Sequence, residues 1–360
     1  MSRPTRAQIN LGNLRHNAAI ATGLAPASRL MAVVKADGYG HGGEIVAEAL
    51  EEQASGFAVA SLEEASRLRD HGIRRPLLLL EGVFEGAEMA EAARTGAWIM
   101  VTGEQQLRWL CEARLDAPLT CWLKVDTGMH RLGISPERVA AFVQALEATP
   151  NAADDIVLCT HFSRADELEQ AETRRQLSRF LGACEGRHFA RSAANSPAVL
   201  AWPETHLEWV RPGYMLYGDS PFAQAESRGS QLRAVMTLVS EVINVRDIPA
   251  GDTVGYGGAW RADRPTRVAT VTAGYGDGYP RTAANGTPVL VNGRRAPLAG
   301  RVSMDMLTVD VTDLPPVNVG DPVTLWGEGL PVGEVARHAG TIGYELMTRM
   351  PPRVPRNITA

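Results

Sequence analysis

The sequence predicts an α/β protein in two parts: an N-terminal (β/α)8 TIM-type barrel over residues 1–225, followed by a mostly antiparallel β-domain over residues 226–360. Three observations support this prediction. Eight short β-like runs alternate with helical segments as far as residue 220, the long helical periods end near residue 225, and β-rich runs between Gly/Pro turns follow. A composition of 45% hydrophobic and 21% charged residues is typical of a globular protein with a substantial core.

The predicted barrel strands are eight apolar runs. In chain order they are AVV (32–34), GFAVA (56–60), PLLLL (76–80), AWIMV (97–101), LTCWLKV (119–125), DIVLCTHF (155–162), HFARS (188–192) and HLEWV (206–210). Helical segments lie between them, among them SLEEASRLRDHG (61–72) and SPERVAAFVQALEA (135–148). Strands that alternate with helices predict parallel pairing, and eight such units are the number that closes a barrel.

The C-terminal part has the pattern of an antiparallel sheet. Its predicted strands are VMTLVSEVINV (235–245), RVATVTAGYG (267–276), TPVLVNG (287–293), DMLTVDVTD (305–313) and DPVTLWG (321–327). Leu307, Val309 and Val311 alternate with polar residues, which is the period of a strand with one buried face. One short helix is predicted over VGEVARHAG (332–340).

Charge and composition exclude several classes of function. The net charge of −5 indicates no basic surface for nucleic acid. The N-terminal segment MSRPTRAQINLGNLRHN contains no apolar core of a signal peptide, and no segment approaches the roughly 18 apolar residues of a membrane span. The four cysteines have no paired spacing and no HExxH motif occurs, so we expect a cytoplasmic protein without a metal site.

Polar residues cluster at the ends of the predicted barrel strands, where barrel enzymes place their chemistry. Each has an ordinary structural explanation by itself, such as a helix start or an ion pair. Independent structural roles would be scattered over both ends of the barrel, so the shared placement predicts a site. The residues are Lys35 after the first strand, Lys124 and Asp126 at the fifth, His161 at the sixth, Ser192, Asn195 and Ser196 after the seventh, and Arg211 after the eighth.

One interpretation of this cluster is a pyridoxal phosphate site. Ser196 before Pro197, and the loop RPGYMLYG that begins at Arg211, offer hydroxyl and backbone N–H donors for a phosphate. Lys35 at a neighbouring strand end is the amine with which the aldehyde of this cofactor forms a Schiff base.

A second interpretation is a dinucleotide site. Gly38, Gly40 and Gly43 satisfy GxGxxG between a strand and a helix, and two glutamates about 20 residues further on could bind a ribose, as in an NAD-dependent dehydrogenase. Against it, three residues separate the strand from the first glycine, and the bulky Tyr39 lies between the first two. We therefore favour the lysine as the functional residue.

Eight motifs along the chain resemble those of the alanine racemases. They occur in the family's order: VVKADGYGHG, LKVDTGMHRLG, THFSRAD, WVRPGYMLYG, VGYGGAW, GYGDGYPR, GRVSMDM and GYEL. The departures are small, because KADGYGHG stands where KANAYGHG or KADAYGHG is common and GYGDGY replaces GYADGY. Neither departure affects a residue to which the resemblance assigns a catalytic role.

The resemblance implies a homodimeric pyridoxal phosphate enzyme with a barrel and a C-terminal β-domain. It implies Lys35 and Tyr256 as the catalytic pair, with Tyr256 contributed to the barrel of the partner subunit. Lys124 would be carbamylated, as in many relatives. The implied cofactor-binding residues are Lys35, Tyr39, His161, Ser196, Arg211, Gly213, Tyr214 and Tyr344, and the implied substrate-binding or entrance residues are Arg131, Met304, Tyr275 and Asp305.

Racemisation explains why two bases are needed. A proton must leave one face of the α-carbon and return to the other, and one rigid base cannot serve both faces. By resemblance, Lys35 acts on the D-enantiomer and Tyr256 on the L-enantiomer of alanine, either to supply D-alanine for peptidoglycan or to degrade it. We expect His161, linked to Arg211, to assist Tyr256.

Three alternatives remain at this stage: a barrel-type pyridoxal phosphate decarboxylase, a cofactor-binding protein without catalysis, and the dehydrogenase. The motifs VGYGGAW and GYEL argue against the non-catalytic protein, which would not need them.

Overall fold

The computed structural model describes residues 3–222 and 229–359. Eight parallel strands close into a barrel in which each strand pairs with its neighbours in the chain, and the last strand pairs with the first. This confirms the predicted (β/α)8 barrel, with each of the eight predicted runs contributing one strand. The barrel strands are β2 (Arg29–Val33), β3 (Gly56–Val59), β4 (Leu77–Leu79), β5 (Ala97–Val101), β6 (Cys121–Lys124), β7 (Val157–Cys159), β8 (Ala190–Ser192) and β9 (Trp209–Val210).

Helical segments precede or connect the barrel strands, and the one over residues 35–39 is a left-handed turn and not a right-handed helix. In chain order they are α1 (Leu11–Leu24), α2 (Lys35–Tyr39), α3 (Gly43–Leu50), α4 (Leu62–His71), α5 (Glu88–Thr95), α6 (Glu104–Glu112), α7 (Val139–Ala148), α8 (Glu172–Cys184) and α9 (Ser196–Ala201). A closed barrel has no point at which the strand order reverses, which is where a dinucleotide binds in an open sheet. The closed barrel therefore does not support the dinucleotide interpretation of the glycine motif.

The C-terminal region is built on a mostly antiparallel sheet, as predicted. Its central path runs β15-β14-β17-β10-β1-β18, and β13 and β16 extend it from β10. The strands of this sheet are β1 (Arg6–Asn10), β10 (Met236–Ile248), β13 (Thr266–Val271), β14 (Pro288–Val291), β15 (Arg294–Pro297), β16 (Leu307–Asp310), β17 (Pro322–Trp326) and β18 (Arg356–Thr359). A separate two-stranded sheet consists of β11 (Thr253–Val254) and β12 (Trp260–Arg261), and the helices are α10 (Val332–His338) and α11 (Gly343–Thr348).

The first strand of the chain lies in this C-terminal sheet and not in the barrel. β1 pairs antiparallel with β10 and parallel with β18, so the two ends of the chain meet. The division at residue 225 assigned residues 6–10 to the barrel half. Sequence patterning cannot find the partner of a five-residue strand that pairs with segments more than 200 residues away, because that pairing is decided by tertiary packing.

The lower interior of the barrel is filled by three tryptophans. Trp98, Trp122 and Trp209 lie on β5, β6 and β9 with ring centroids 5.6–6.4 Å apart. Successive side chains on a strand alternate between its two faces, so the residues two positions further on also point inward. Those residues are Met100, Lys124 and Arg211, and all three line the cavity described next.

Candidate functional site

A cavity of about 830 Å³ opens at the C-terminal end of the barrel. It lies above the tryptophan layer and is closed on one side by α11 of the C-terminal region. Twelve residues that the sequence predicts for the site line it together: Lys35, Tyr39, Lys124, Asp126, Arg131, His161, Asn195, Ser196, Arg211, Gly213, Tyr214 and Tyr344.

Five other predicted site residues do not line this cavity. One is Ser192, whose hydroxyl accepts a hydrogen bond from Arg211 behind the cavity wall, and the other four lie elsewhere in the chain. Tyr256, Tyr275, Met304 and Asp305 belong to the C-terminal region and are not among the described residues that line this cavity. Tyr256 is 70% exposed, Tyr275 40% and Met304 53%. Tyr275 and Met304 are close together, because the N–H of Gly276 donates to the Met304 carbonyl at 2.8 Å. A single chain therefore contains the two sets of residues in separate places.

The segment after β2 turns in a left-handed sense. Ala36, Asp37, Gly38 and Tyr39 have φ values of 52°, 56°, 59° and 51°. This conformation costs an L-residue roughly 1–2 kcal/mol and is rare in consecutive positions. The sequence predicts a strand over residues 32–34 with Lys35 directly after it, whereas β2 ends at Val33 and Lys35 begins this turn. Alternation along the strand cannot anticipate a left-handed turn that contains only one glycine.

Lys35 projects into the cavity from the start of the turn. Among the described residues, none forms a hydrogen bond or ion pair with its amine. A lysine amine that lines a cavity without a partner is available to react with a bound carbonyl compound.

A group of small residues and hydroxyls lies on the wall formed by the last two barrel loops. The Ser196 hydroxyl accepts hydrogen bonds from the N–H groups of Gly213 at 2.9 Å and Met215 at 3.2 Å. Gly213 allows Tyr39 to approach closely, since a Cβ at Gly213 would lie 2.5 Å from the Tyr39 hydroxyl. Burial raises the pKa of Tyr39 to about 12, so its hydroxyl stays protonated and can donate a hydrogen bond to an anion.

Tyr344 is positioned from the C-terminal region by stacking. Its ring lies parallel to that of Tyr214, with centroids 3.7 Å apart. The Tyr214 hydroxyl donates to the Asp219 carboxylate, which also accepts the N–H of Gly333 at 3.1 Å. Asp219 thus joins a barrel loop to α10 and fixes the tyrosine pair. Asp219 is not among the residues predicted from the sequence. The one feature of the sequence that points to it is its position directly after the motif WVRPGYMLYG.

Arg211 is buried and held in one orientation. Its guanidinium donates to the Ser192 hydroxyl, to the Thr160 carbonyl at 2.6 Å and to the Ala193 carbonyl at 3.3 Å. The predicted link between Arg211 and His161 is not among the described hydrogen bonds. The closest described polar contact of the His161 ring is Asn195, whose Nδ2 lies 3.4 Å from its Nε2.

Burial disfavours a positive charge on both His161 and Lys124. Burial, and then the charges of Lys124 and Arg211, hold the pKa of His161 well below its usual value. Burial lowers the pKa of Lys124 to about 8. The cavity already contains two arginines, so electrostatic repulsion adds to the cost of further positive charge there.

Arg131 is presented by a tight loop organised around Asp126. One oxygen of the Asp126 carboxylate accepts the N–H groups of Gly128, Met129 and His130 at 3.0–3.1 Å, and the other accepts from the His130 ring at 3.0 Å. Although burial alone would raise it, these hydrogen bonds hold the pKa of Asp126 below its usual value. Asp126 therefore stays ionised and keeps the loop in place, so that Arg131 can meet an anionic group in the cavity.

The described part of the chain shows neither a cluster of metal ligands nor a membrane-spanning helix. Within residues 3–222 and 229–359, no group of three or more His, Cys, Asp or Glu side chains is arranged to hold a metal ion. None of the described helices is long and apolar enough to cross a membrane.

Fold and site together define a class of enzyme: a barrel with a lysine at its catalytic end, completed by a C-terminal β-region. Comparison with models of known families identifies which family of this class the chain belongs to. The alanine racemase N-terminal domain matches residues 9–221, and the alanine racemase C-terminal domain matches residues 235–358. The chain therefore belongs to the alanine racemase family.

Individual relatives match over nearly the full chain. The alanine racemase of Chromohalobacter salexigens is 52% identical over 99% of this chain and 98% of its own length. The catabolic alanine racemase of Pseudomonas putida is 50% identical over 99% of both chains. Among solved structures, the biosynthetic alanine racemase of Pseudomonas aeruginosa is 48% identical, with a TM-score of 0.96 over 99% of this chain and 100% of its own.

Proposed function

We propose that this protein interconverts L-alanine and D-alanine, with pyridoxal phosphate bound covalently to Lys35. The observation that carries the proposal is the unpaired Lys35 amine, which shares a cavity with a hydroxyl and N–H cradle suited to a phosphate. When bound, the cofactor withdraws electrons and so acidifies the α-proton of an attached amino acid. The family membership indicates alanine as the amino acid.

The residues of the cavity fit this cofactor. Ser196, Tyr39 and the Gly213–Tyr214 backbone would hold its phosphate, and Tyr344 would close that end. Arg211 would face the pyridine nitrogen. Because a guanidinium does not readily give up its proton, that nitrogen would remain unprotonated and the ring would be a weaker electron sink. Arg211 would in this way favour racemisation over side reactions such as transamination.

Two bases on opposite faces of the α-carbon would move the proton. Lys35 would act on D-alanine, and Tyr256 of the partner subunit would act on L-alanine. A homodimer would bring Tyr256 to the cavity, and the exposure of Tyr256 in a single chain supports this arrangement. His161, whose pKa is depressed, would be a neutral hydrogen-bond partner at this point.

Substrate recognition would come from both subunits. Arg131 would bind the substrate carboxylate, supported by Asp126 through the loop described above. Met304 of the partner would contact the substrate, and Tyr275 and Asp305 would line the entrance. We place the enzyme in the cytoplasm, since its four cysteines are free.

The reaction is tested by incubating purified enzyme with L-alanine in deuterated water. We expect loss of optical rotation, deuterium at the α-carbon and no release of carbon dioxide. Release of carbon dioxide would instead indicate the decarboxylase, and protein that contains no pyridoxal phosphate after purification and does not take it up would contradict the proposal.

Lys124 is expected to carry a carbamate. Its neutral amine would add CO₂ and lose a proton, which replaces a cation by an anion beside Arg131. Because only the neutral amine reacts, the modified fraction should rise as the pH passes about 8 from below. Native mass spectrometry in labelled bicarbonate should show the added mass of one CO₂ on wild type. The control Lys124→Arg has no reactive amine and should show none, whereas equal spectra for the two proteins would contradict the prediction.

A further inference from the structure

The left-handed turn after Lys35 needs support from outside itself. Three of its four residues with positive φ have a Cβ atom, so the turn persists only if its surroundings determine it. From the barrel, Glu64 accepts the N–H of Ala36 at 2.7 Å and that of Ala60 at 2.8 Å. The His41 ring lies 2.9 Å from the Tyr39 carbonyl, and the rings of Tyr39 and Tyr217 stack at 4.6 Å.

A charged contact reaches the turn from the other end of the chain. Arg356 lies on β18 and is mostly buried, with 20% of its side chain exposed. Its Nε donates to the Gly40 carbonyl at 2.8 Å, and its Nη2 donates to Asp37 Oδ2 at 2.9 Å. One planar guanidinium thus holds the middle of the turn and the residue that ends it.

The contact with Asp37 is transmitted along the backbone. The other carboxylate oxygen of Asp37 accepts the N–H of Gly43 at 2.9 Å, at the start of α3. The bond of Arg356 to one oxygen leaves the second oxygen directed at α3. Asp37 and Gly40 follow Lys35 by two and five residues, so a shift of either would change where the lysine points.

We propose that Arg356 is a positioning residue for Lys35, acting through Asp37 and the Gly40 carbonyl. The C-terminal sheet would thereby control the geometry of the cofactor lysine. Through β18 and its partner β1, correct pairing of the two chain ends becomes a condition for an ordered site. The inference rests on the proposed function only for the identity of the ligand on Lys35.

Arg356→Gln tests the proposal, with Arg67→Gln as a matched control. Arg67 also approaches Asp37, at 3.4 Å, but it is 54% exposed and its other described partner is Glu44, not Gly40. The measurements are the rate at which pyridoxal phosphate leaves the holoenzyme, hydrogen exchange of amides 36–43, and the melting temperature.

We expect Arg356→Gln to release the cofactor about tenfold faster, since two hydrogen bonds from a charged donor are lost. Exchange should accelerate in residues 36–43 while the melting temperature stays close to that of Arg67→Gln. Arg356→Lys, which keeps the charge but not the planar fork, should fall between the two. Release and exchange indistinguishable from the control would overturn the proposal.

Failure of the variant to fold and failure of the proposed function can each be distinguished from failure of the positioning role. If Arg356→Gln does not fold, the Arg356→Lys variant provides the test. Faster release of pyridoxal phosphate at an unchanged melting temperature supports the proposal. Release that is faster only in proportion to the lost stability overturns it. If wild type binds no pyridoxal phosphate, the proposed function fails. Hydrogen exchange of residues 36–43 still tests the positioning role, because it needs no cofactor.

Discussion

Replacing Lys35 by alanine is expected to lower the rate of alanine racemisation by at least about 10⁴-fold, because the change removes both the covalent anchor and one of the two bases. The protein should also lose its capacity to be labelled when borohydride reduces the bond between lysine and pyridoxal phosphate. The chain contains only two lysines, Lys35 and Lys124, so peptide mapping needs to distinguish only two candidate positions for the label. The label is expected on the peptide that contains Lys35.

The second lysine provides the matched control. Lys124 lines the same cavity, and its lowered pKa makes it a competent nucleophile. Lys124→Ala should still be labelled at Lys35, although its kinetic constants for alanine are expected to change. Label on Lys124 in wild type, or racemisation by Lys35→Ala at a rate close to wild type, would contradict the assignment of Lys35.

The residues that the sequence could place are those fixed by strand alternation. Lys124 and Arg211 follow Trp122 and Trp209 by two positions, so once a run is recognised as a barrel strand, the side of the barrel that each residue occupies is determined. The eight-strand barrel was predictable for the same reason, because its pattern is local.

Other features of the site depend on packing that no local pattern encodes. Asp219 acquires its role only because α10 docks beside it, and Arg356 only because β18 begins next to the Lys35 turn. The turn itself contradicts local propensity, since Ala36 and Tyr39 rarely adopt positive φ. Resemblance could assign Tyr344 to the site, but its stacking on Tyr214 follows from the position of α11.

The shared active site gives the second large effect. Lys35→Ala and Tyr256→Phe subunits should each be nearly inactive alone, the latter by about 10²- to 10⁴-fold for loss of a base. In a mixed dimer, one site contains both defects and the other contains neither. After random exchange of equal amounts, half of the dimers are mixed, so about a quarter of the wild-type specific activity should return.

The control for this recovery places both defects on one chain. Mixing Lys35→Ala with the double variant Lys35→Ala/Tyr256→Phe forms no site with both residues intact and should restore nothing. Subunits of different mass would establish by native mass spectrometry that exchange took place. If mixed dimers form and no activity returns, Tyr256 does not act across the subunit boundary. In that case, the 70% exposure of Tyr256 in a single chain would need another explanation.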